Sequence, residues 1–523
     1  MGKVADNIIK TGTFLTIVLS IIAALFGFKG PNIINTALLE VHKSESERGK
    51  ELASIYCVTC HLLPDPQSLD KTTWKNSILP NMGRRLGLKL EGKTWRSDLD
   101  ATEAAIVSKM NIYPGFPLIS SEDWKLISEY YVESAPKKLE GQDKSHLDIK
   151  RNFPFKAEPV FVGSSIMPQV TLLEYNEKEE KLFVGDDLSL YALDVFGTSD
   201  QTWTLESPAT DLVYQENNPS PLLLTIGTVY PSDQKLGKIL GLNENGQRVK
   251  FSQLKRPVDF NFHDLNGDSR KDLILSQFGN YKGKLSWFDD GDETKEHILS
   301  ELPGARKTEV FDVNKDGRPD IIALMAQARE QITLFTNLGE NGFEEKKLLE
   351  FPAVNGTNYF ELADFNSDGF FDLLVTNGDN RDYSNIDKPY HGVRIYLNNG
   401  ENDFKEEFFF PMYDCSKAMA RDFDNDGDLD IIAASLFGSY QGEKKTHESI
   451  VYLLNNGNMT FTASYIPEAM HGNWLTMDVG DFNKDNLLDV VLGTYVFNIQ
   501  EMMKIIGFHE NDKIPQVLLL TQF

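Results

Sequence analysis

The chain has 523 residues, 41% of them apolar, with 33 Phe and a formal net charge of −26. That is too long for one ordinary core and too apolar for a disordered chain, so two or more folded domains are expected. The charge excludes nucleic acid, which is bound by Lys and Arg that displace its counterions, and it argues against docking on anionic lipid.

The first element is apolar. No residue from Thr11 to Phe28 is charged, and eighteen residues at about 1.5 Å each span roughly 27 Å, a bilayer core. A cleaved signal peptide is the alternative, but no A-x-A site follows, so residues 1–30 are read as a single-pass anchor. Lys3 and Lys10 precede the segment and favour a cytoplasmic N-terminus, although Lys29 lies on the far side. The bulk of the chain is then expected on the extracytoplasmic, periplasmic side of the cell membrane.

A helical block follows over residues 44–136. Ser44 and Glu47 have capping-box spacing, and Leu52, Ile55 and Tyr56 recur at helical intervals. Another helical run covers Ala101 to Met110. A later helix is expected from Ser121 to Val132, with Trp124, Ile127 and Tyr131 on one face and Pro136 as a stop. Between these runs lies Cys57-Val-Thr-Cys60-His61. This is the C-x-x-C-H arrangement of covalent haem attachment: two thiols one helical turn apart meet the two vinyl groups, and the next residue presents imidazole to the iron. A zinc site would want a further Cys/His pair nearby, and none follows. The chain has only three cysteines, so there is no disulfide framework, and the remaining Cys415 reads as a small buried apolar residue.

With Gly49, Leu52 and Tyr56 ahead of the motif, this block resembles a class I cytochrome c over roughly residues 44–135. The resemblance implies one haem c on Cys57 and Cys60 with His61 as proximal iron ligand. It also implies a close crossing of the first helix by an aromatic last helix, through Trp124, Tyr130 or Tyr131. The place where such proteins carry their Met-Pro pair reads Tyr113-Pro114-Gly115-Phe116-Pro117. The distal ligand is therefore sought in Met82, within a Pro/Gly-bounded segment, with Met110 as runner-up. A His from elsewhere or an open position stays possible. Arg84 and Arg85 could meet the propionates or be merely solvated.

Residues 137–152 are charged and lack periodicity, and read as a linker. From 153 to 523 short β-branched and aromatic runs alternate with Gly, Asn, Asp and Pro turns, an all-β pattern. It contains five copies of a short strand, an acidic nine-residue loop and an apolar strand, whose first Asp residues are Asp264, Asp312, Asp364, Asp422 and Asp481. Their spacings of 48, 52, 58 and 59 residues match one four-stranded propeller blade each. Runs such as QVTLLEY, KLFVGDD, SLYALDV, PLLLTIG and GKILGLN supply about two further blades without the loop. An all-β propeller of about seven blades is expected, within a range of six to eight.

Each loop places oxygen donors at positions 1, 3, 5 and 9, and position 7 can offer its carbonyl, which suits Ca²⁺. The donors are Asp264, Asn266, Asp268 and Asp272; Asp312, Asn314, Asp316 and Asp320; Asp364, Asn366, Asp368 and Asp372; Asp422, Asp424, Asp426 and Asp430; and Asp481, Asn483, Asp485 and Asp489. A sharp bend at position 6 wants Gly; Ser269 stands there in the first loop and Asn486 in the fifth, so the first is expected to bind weakly. The EF-hand reading fails because β-patterns flank each loop. An Asx-rich turn without metal is the plain alternative. The five copies resemble the FG-GAP or VCBS repeats of integrin α-subunit propellers over about residues 257–523, which implies up to five structural calcium ions.

Three residues before the first Asp stand Asn261, Glu309, Glu361, Met419 and Asp478, on strands expected to face the channel. They could ring a cation or basic ligand, but hydrogen bonding between blades is the favoured reading. His263, Arg421 and His471, near Trp474, are weaker site residues. Two main functions stay open. One is a membrane-anchored c-type haem protein that transfers electrons while its propeller binds a redox partner or substrate; the other is a haem-linked dehydrogenase with its active site in the propeller. An adhesive propeller with an auxiliary haem is a third. No nucleophile elbow, phosphate loop or dinucleotide fingerprint occurs, and catalytic residues stay unassigned.

Overall fold

The computed structural model describes residues 44–523 except 91, 146, 148, 151–153, 195–196, 216–219, 244–245, 380–382, 437–439, 442–443, 446–448, 466–471 and 509–512. The apolar segment 11–28 lies outside them, and among the described residues no helix is long and apolar enough to cross a membrane. Residues 45–523 form one compact unit.

This unit opens with helix Glu45–Tyr56, whose buried positions are Gly49, Leu52 and Ala53. Ile55, expected on that face, is 61% exposed, because the helix buries only a narrow stripe. Helix Ala101–Met110 is capped by the Asp100 carboxylate, which accepts the Thr102 and Glu103 amides. Helix Ser121–Ser134 is capped by Ser120 and buries Trp124, Ile127 and Tyr131, as the periodicity predicts. The first and last helices cross at Gly49. A Cβ there would lie 2.8 Å from Tyr130 Cβ and closer still to the Leu126 carbonyl oxygen, so only glycine permits the approach. Around this crossing Leu52, Leu69, Trp74, Leu79, Trp124 and Tyr131 form one apolar cluster.

Seven blade sheets follow, six of four antiparallel strands and one, the sixth in chain order, of four antiparallel strands with a fifth added in parallel. The first six span residues 172–204, 209–254, 257–300, 305–351, 357–411 and 415–464. The first strand of each sheet touches the first strand of the next, and the ring closes from Trp474–Gly480 back to Leu172–Asn176. These are therefore the innermost strands of a seven-bladed propeller, which settles the blade count. The last blade is composite: Trp474–Gly480, Asp489–Thr494 and Val517–Gln522 come from the C-terminal end, and Phe155–Val160 adds the outermost strand in antiparallel register. The stretch read as a linker also contributes a strand. Ile149–Lys150 pairs in parallel with the outer strand of the sixth blade, a two-residue element too short to leave a periodicity.

In six of the seven blades the second strand is buried on both faces along its length, as in Asp320–Met325 and Asp430–Ser435; in the first blade Lys181 and Leu182 are half-buried. The second strand packs between neighbouring blades and so reads as a continuous apolar run. The interleaved clusters carry Leu, Ile, Val and Phe from adjacent sheets. Cys415 is fully buried among them, as expected of a lone apolar cysteine.

Candidate functional site

The C-x-x-C-H motif begins where the first helix tightens into a short 3₁₀ turn at Cys57–Thr59. Cys57 edges the apolar cluster and Cys60 is exposed; both thiols are free. Burial, and then the neighbouring Cys60, push the Cys57 thiol up to about 11. His61 Nδ1 lies 2.7 Å from the Leu62 carbonyl oxygen. Donation through Nδ1 leaves Nε2 as the free ligand atom. The next stretch is pinned by two bonds: Tyr131 Oη donates to the Pro64 carbonyl at 3.0 Å, and Trp74 Nε1 to the Pro66 carbonyl at 2.9 Å.

Ile55, Val58, Leu62 and Leu63 are exposed around the motif, although water disfavours such a set. An apolar macrocycle held by the two thiols would cover them, so the residues present fit the group. Met82 lies on helix Leu79–Arg85 and edges the same cluster as Cys57, whereas Met110 ends a helix that contributes nothing to it.

The helical domain is held on the propeller at several points. Arg329, between two strands of the fourth blade, donates to the Cys60 and Thr59 carbonyls at 3.2 and 3.3 Å. Tyr390 Oη donates to the Ser68 carbonyl at 3.0 Å. Arg85 does not stand free for a propionate. Its guanidinium lies over the Tyr281 and Tyr113 rings and donates to Tyr383 Oη. Arg84 donates to Asn81 Oδ1 at 2.7 Å. Buried Glu103 accepts from Ser232 Oγ and from Gln234 Nε2, the latter at 3.0 Å. The sequence gives no sign of the contacts between the helical domain and the propeller, since each of those joins residues more than a hundred positions apart.

The five acidic loops share one geometry. The position-1 carboxylate accepts the amides of positions 5 and 6, as Asp312 does from Asp316 at 3.0 Å and Gly317 at 2.8 Å. Position 6 is left-handed in every loop, at φ values of 67° for Ser269, 85° for Gly317, 84° for Gly369, 97° for Gly427 and 68° for Asn486. Ser269 therefore does not spoil the bend; its amide reaches Asp264 Oδ2 at 2.8 Å. The position-9 residues Asp272, Asp320, Asp372, Asp430 and Asp489 are fully buried. Four of them accept an amide from the third strand of their blade, as Asp320 does from Asn337 at 2.7 Å, and Asp272 accepts the Asp290 amide just beyond that strand at 2.9 Å.

Asp422, Asp424 and Asp426 bring carboxylate oxygens within 4.8 Å of one another. Burial and the repulsion of Asp426 raise the Asp424 carboxyl above its ordinary value, which a divalent cation would relieve. The first loop is different. Asp268 meets Asp289 and Asp290, which the motif did not include. Arg270 pairs with Asp268 and Asp290 at 2.6 Å, and Lys295 with Asp289 and Asp290 at 3.1 and 3.0 Å. Two side-chain cations already offset most of the charge of those three carboxylates.

The channel residues chiefly join blades. Asp211 accepts the Phe260 amide at 2.9 Å, Asp259 the Thr308 amide at 3.1 Å, Glu361 the Ala420 amide at 3.1 Å and Asp478 the Tyr175 amide at 2.7 Å. Asn261 donates to Thr308 Oγ1 at 2.9 Å, and Met419 is buried in the core. The channel also supplies its own cations: Lys307 pairs with Glu309 and Arg421 with Glu361. Burial and then the Asp259 charge push Asp211 up to about 7, and burial pushes Asp259 up to about 6. His263 is half-buried and held below its ordinary pKa by burial, and His471 lies outside the described residues.

A family model described as FG-GAP-like repeat matches residues 264–323, 312–375 and 422–492. No curated protein matches the chain. Among solved structures it is similar to the N-terminal domain of Nup159, at 12% identity over 73% of this chain and 98% of that one, with a TM-score of 0.41. It is also similar to the Pan2 WD40 domain of Neurospora crassa, at 11% identity over 71% of this chain and 96% of that one, with a TM-score of 0.41. At such low scores the blade count rests on strand pairing alone. By that pairing and by its matched repeats, the chain is a seven-bladed β-propeller carrying FG-GAP-like repeats, an architecture suited to binding.

Proposed function

We propose that this protein is an extracytoplasmic c-type haem protein, tethered by segment 11–28, that exchanges electrons with a redox partner or substrate bound by its propeller. The observation that supports it is the setting of Cys57, Cys60 and His61: two free thiols and an imidazole among exposed Ile55, Val58, Leu62 and Leu63. Haem c bound there supplies a one-electron couple. The chain's own residues do the rest. Cys57 and Cys60 anchor the group, and His61 offers Nε2 while Nδ1 is held by Leu62. Met82, on the edge of the same cluster, is the distal candidate. Arg329 ties the motif to the propeller, so a partner docked on the blades meets a haem domain of fixed orientation. Calcium in the acidic loops stiffens the blades.

The test is expression in a host that attaches haem c. The purified chain is expected to carry the mass of one haem and to show reducible haem absorbance, and Cys57→Ala/Cys60→Ala to lose both. A colourless wild-type protein of unmodified mass overturns the reading.

A further inference from the structure

On the third blade, beside its contact with the second, a cavity of about 340 Å³ is lined by Lys235, Lys255, Lys282 and Lys284. That volume falls in the range of small-molecule sites. In a chain with 26 more acidic than basic charges, four lysines around one hollow run against the composition. Lys284 has a partner, Glu296 at 2.5 Å. No ion pair involves Lys235, Lys255 or Lys282 among the described residues, and Glu301 is the one carboxylate on the wall.

The walls are built rather than loose. Lys255 sits in a turn where Gln253 and Arg256 are left-handed, at φ 59° and 42°. Arg256 locks that turn by donating to the Gly279 carbonyl at 2.6 Å and the Val229 carbonyl at 3.1 Å. The opposite wall hangs on Asp233, a buried carboxylate that accepts the amides of Asn280, Tyr281 and Lys282 at 3.2, 2.9 and 3.1 Å. Those bonds occupy the Asp233 oxygens with backbone. Gly283, where a Cβ would come 2.7 Å from the Gln277 and Phe278 carbonyl oxygens, lets the chain bend so that Lys282 and Lys284 flank the hollow. Burial is the largest cause holding Lys255 below its ordinary pKa; the Asp233 charge opposes it, and the charges of Lys235, Lys284 and Lys282 add to it.

We propose that this lysine cavity binds a small ligand with a doubly charged oxyanion, a phosphoryl group or a dicarboxylate. Like charges converging on one hollow, open to solvent at Lys235 and Lys282, repel one another, and a divalent anion removes that repulsion through charge-assisted hydrogen bonds. A nucleic acid or other long polyanion is excluded by the field of the rest of the chain. The proposal does not depend on haem.

The experiment is calorimetric titration of the full chain with inorganic phosphate and, separately, succinate, at constant ionic strength and constant free calcium. One saturable site is expected for at least one of the two, and which one binds names the ligand chemistry. Lys255→Gln and Lys282→Gln are each expected to weaken it tenfold or more. Lys346→Gln, exposed on the next blade, is expected to bind as wild type; circular dichroism checks that all variants are folded. Absence of saturable heat with both anions, or equal affinity in Lys255→Gln, overturns the proposal.

Discussion

Asp211 shows how a single side chain can serve structure against its own charge. Its carboxylate accepts the Phe260 amide at 2.9 Å and so joins the second blade to the third, yet burial and Asp259 push its pKa up to about 7. The unfolded chain titrates the same group near 3.9. Between those values the folded protein holds a proton that the unfolded one lacks, so this group favours folding fully below about pH 4 and loses that effect as the pH rises through about 7. With calcium saturating, stability is expected to fall between pH 5 and 8. Asp211→Asn, which keeps an acceptor for the amide, is expected to flatten the slope by on the order of 1–3 kcal/mol across that range. Chemical denaturation at pH 5, 6, 7 and 8 measures it, and equal slopes in both proteins count against the assignment.

The strand–loop–strand unit is the element that recurs, and its copies are not equivalent. The loop at Asp422 gathers three carboxylates with no ion pair among the described residues, whereas the loop at Asp264 is threaded by Arg270 and Lys295. Calcium stoichiometry by metal analysis is expected to reach four ions rather than five. Asp426→Ala should remove one, and Asp268→Ala none. Chelation should lower the melting temperature by on the order of 5–10 °C, since a ligand at a hundred times its Kd adds about 2.7 kcal/mol. A melting curve indifferent to chelation would sink the calcium reading. Ser269 gives no reason to expect weakness of the first loop, since it adopts the required bend; the expectation rests on Arg270 and Lys295, which would compete with a metal there.

At the scale of the whole molecule, closure depends on one strand from the far end of the chain. Phe155–Val160 completes the seventh blade against Val517–Gln522. Without it that blade ends in an unpaired edge, and the ring loses one of the links between the start and the end of the propeller. Deleting residues 155–160 is expected to cost more than 4 kcal/mol and to promote aggregation. Denaturation and light scattering check this, and a monomeric deletion variant of wild-type stability would refute it. The helical domain is bound into the same body: Arg329 reaches the cysteine motif, and Tyr113 Oη lies 3.2 Å from Tyr281 Oη.

Much was legible in the residues alone. The fivefold spacing of Asp264, Asp312, Asp364, Asp422 and Asp481 contains the blade period, and the runs at QVTLLEY and GKILGLN fall on strands Leu172–Asn176 and Gly237–Asn243. The pattern is local, since a strand alternates and a loop bends by the chemistry of a few neighbouring residues. C-x-x-C-H and the glycine at 49 are local in the same sense. What the residues could not disclose is nearly all long-range: the composite seventh blade, the lysine cavity, the cations inside the first loop, and the capture of Arg85 by Tyr281 and Tyr383. Each depends on which surfaces meet when the ring closes, and closing the ring joins positions that no period along the chain relates.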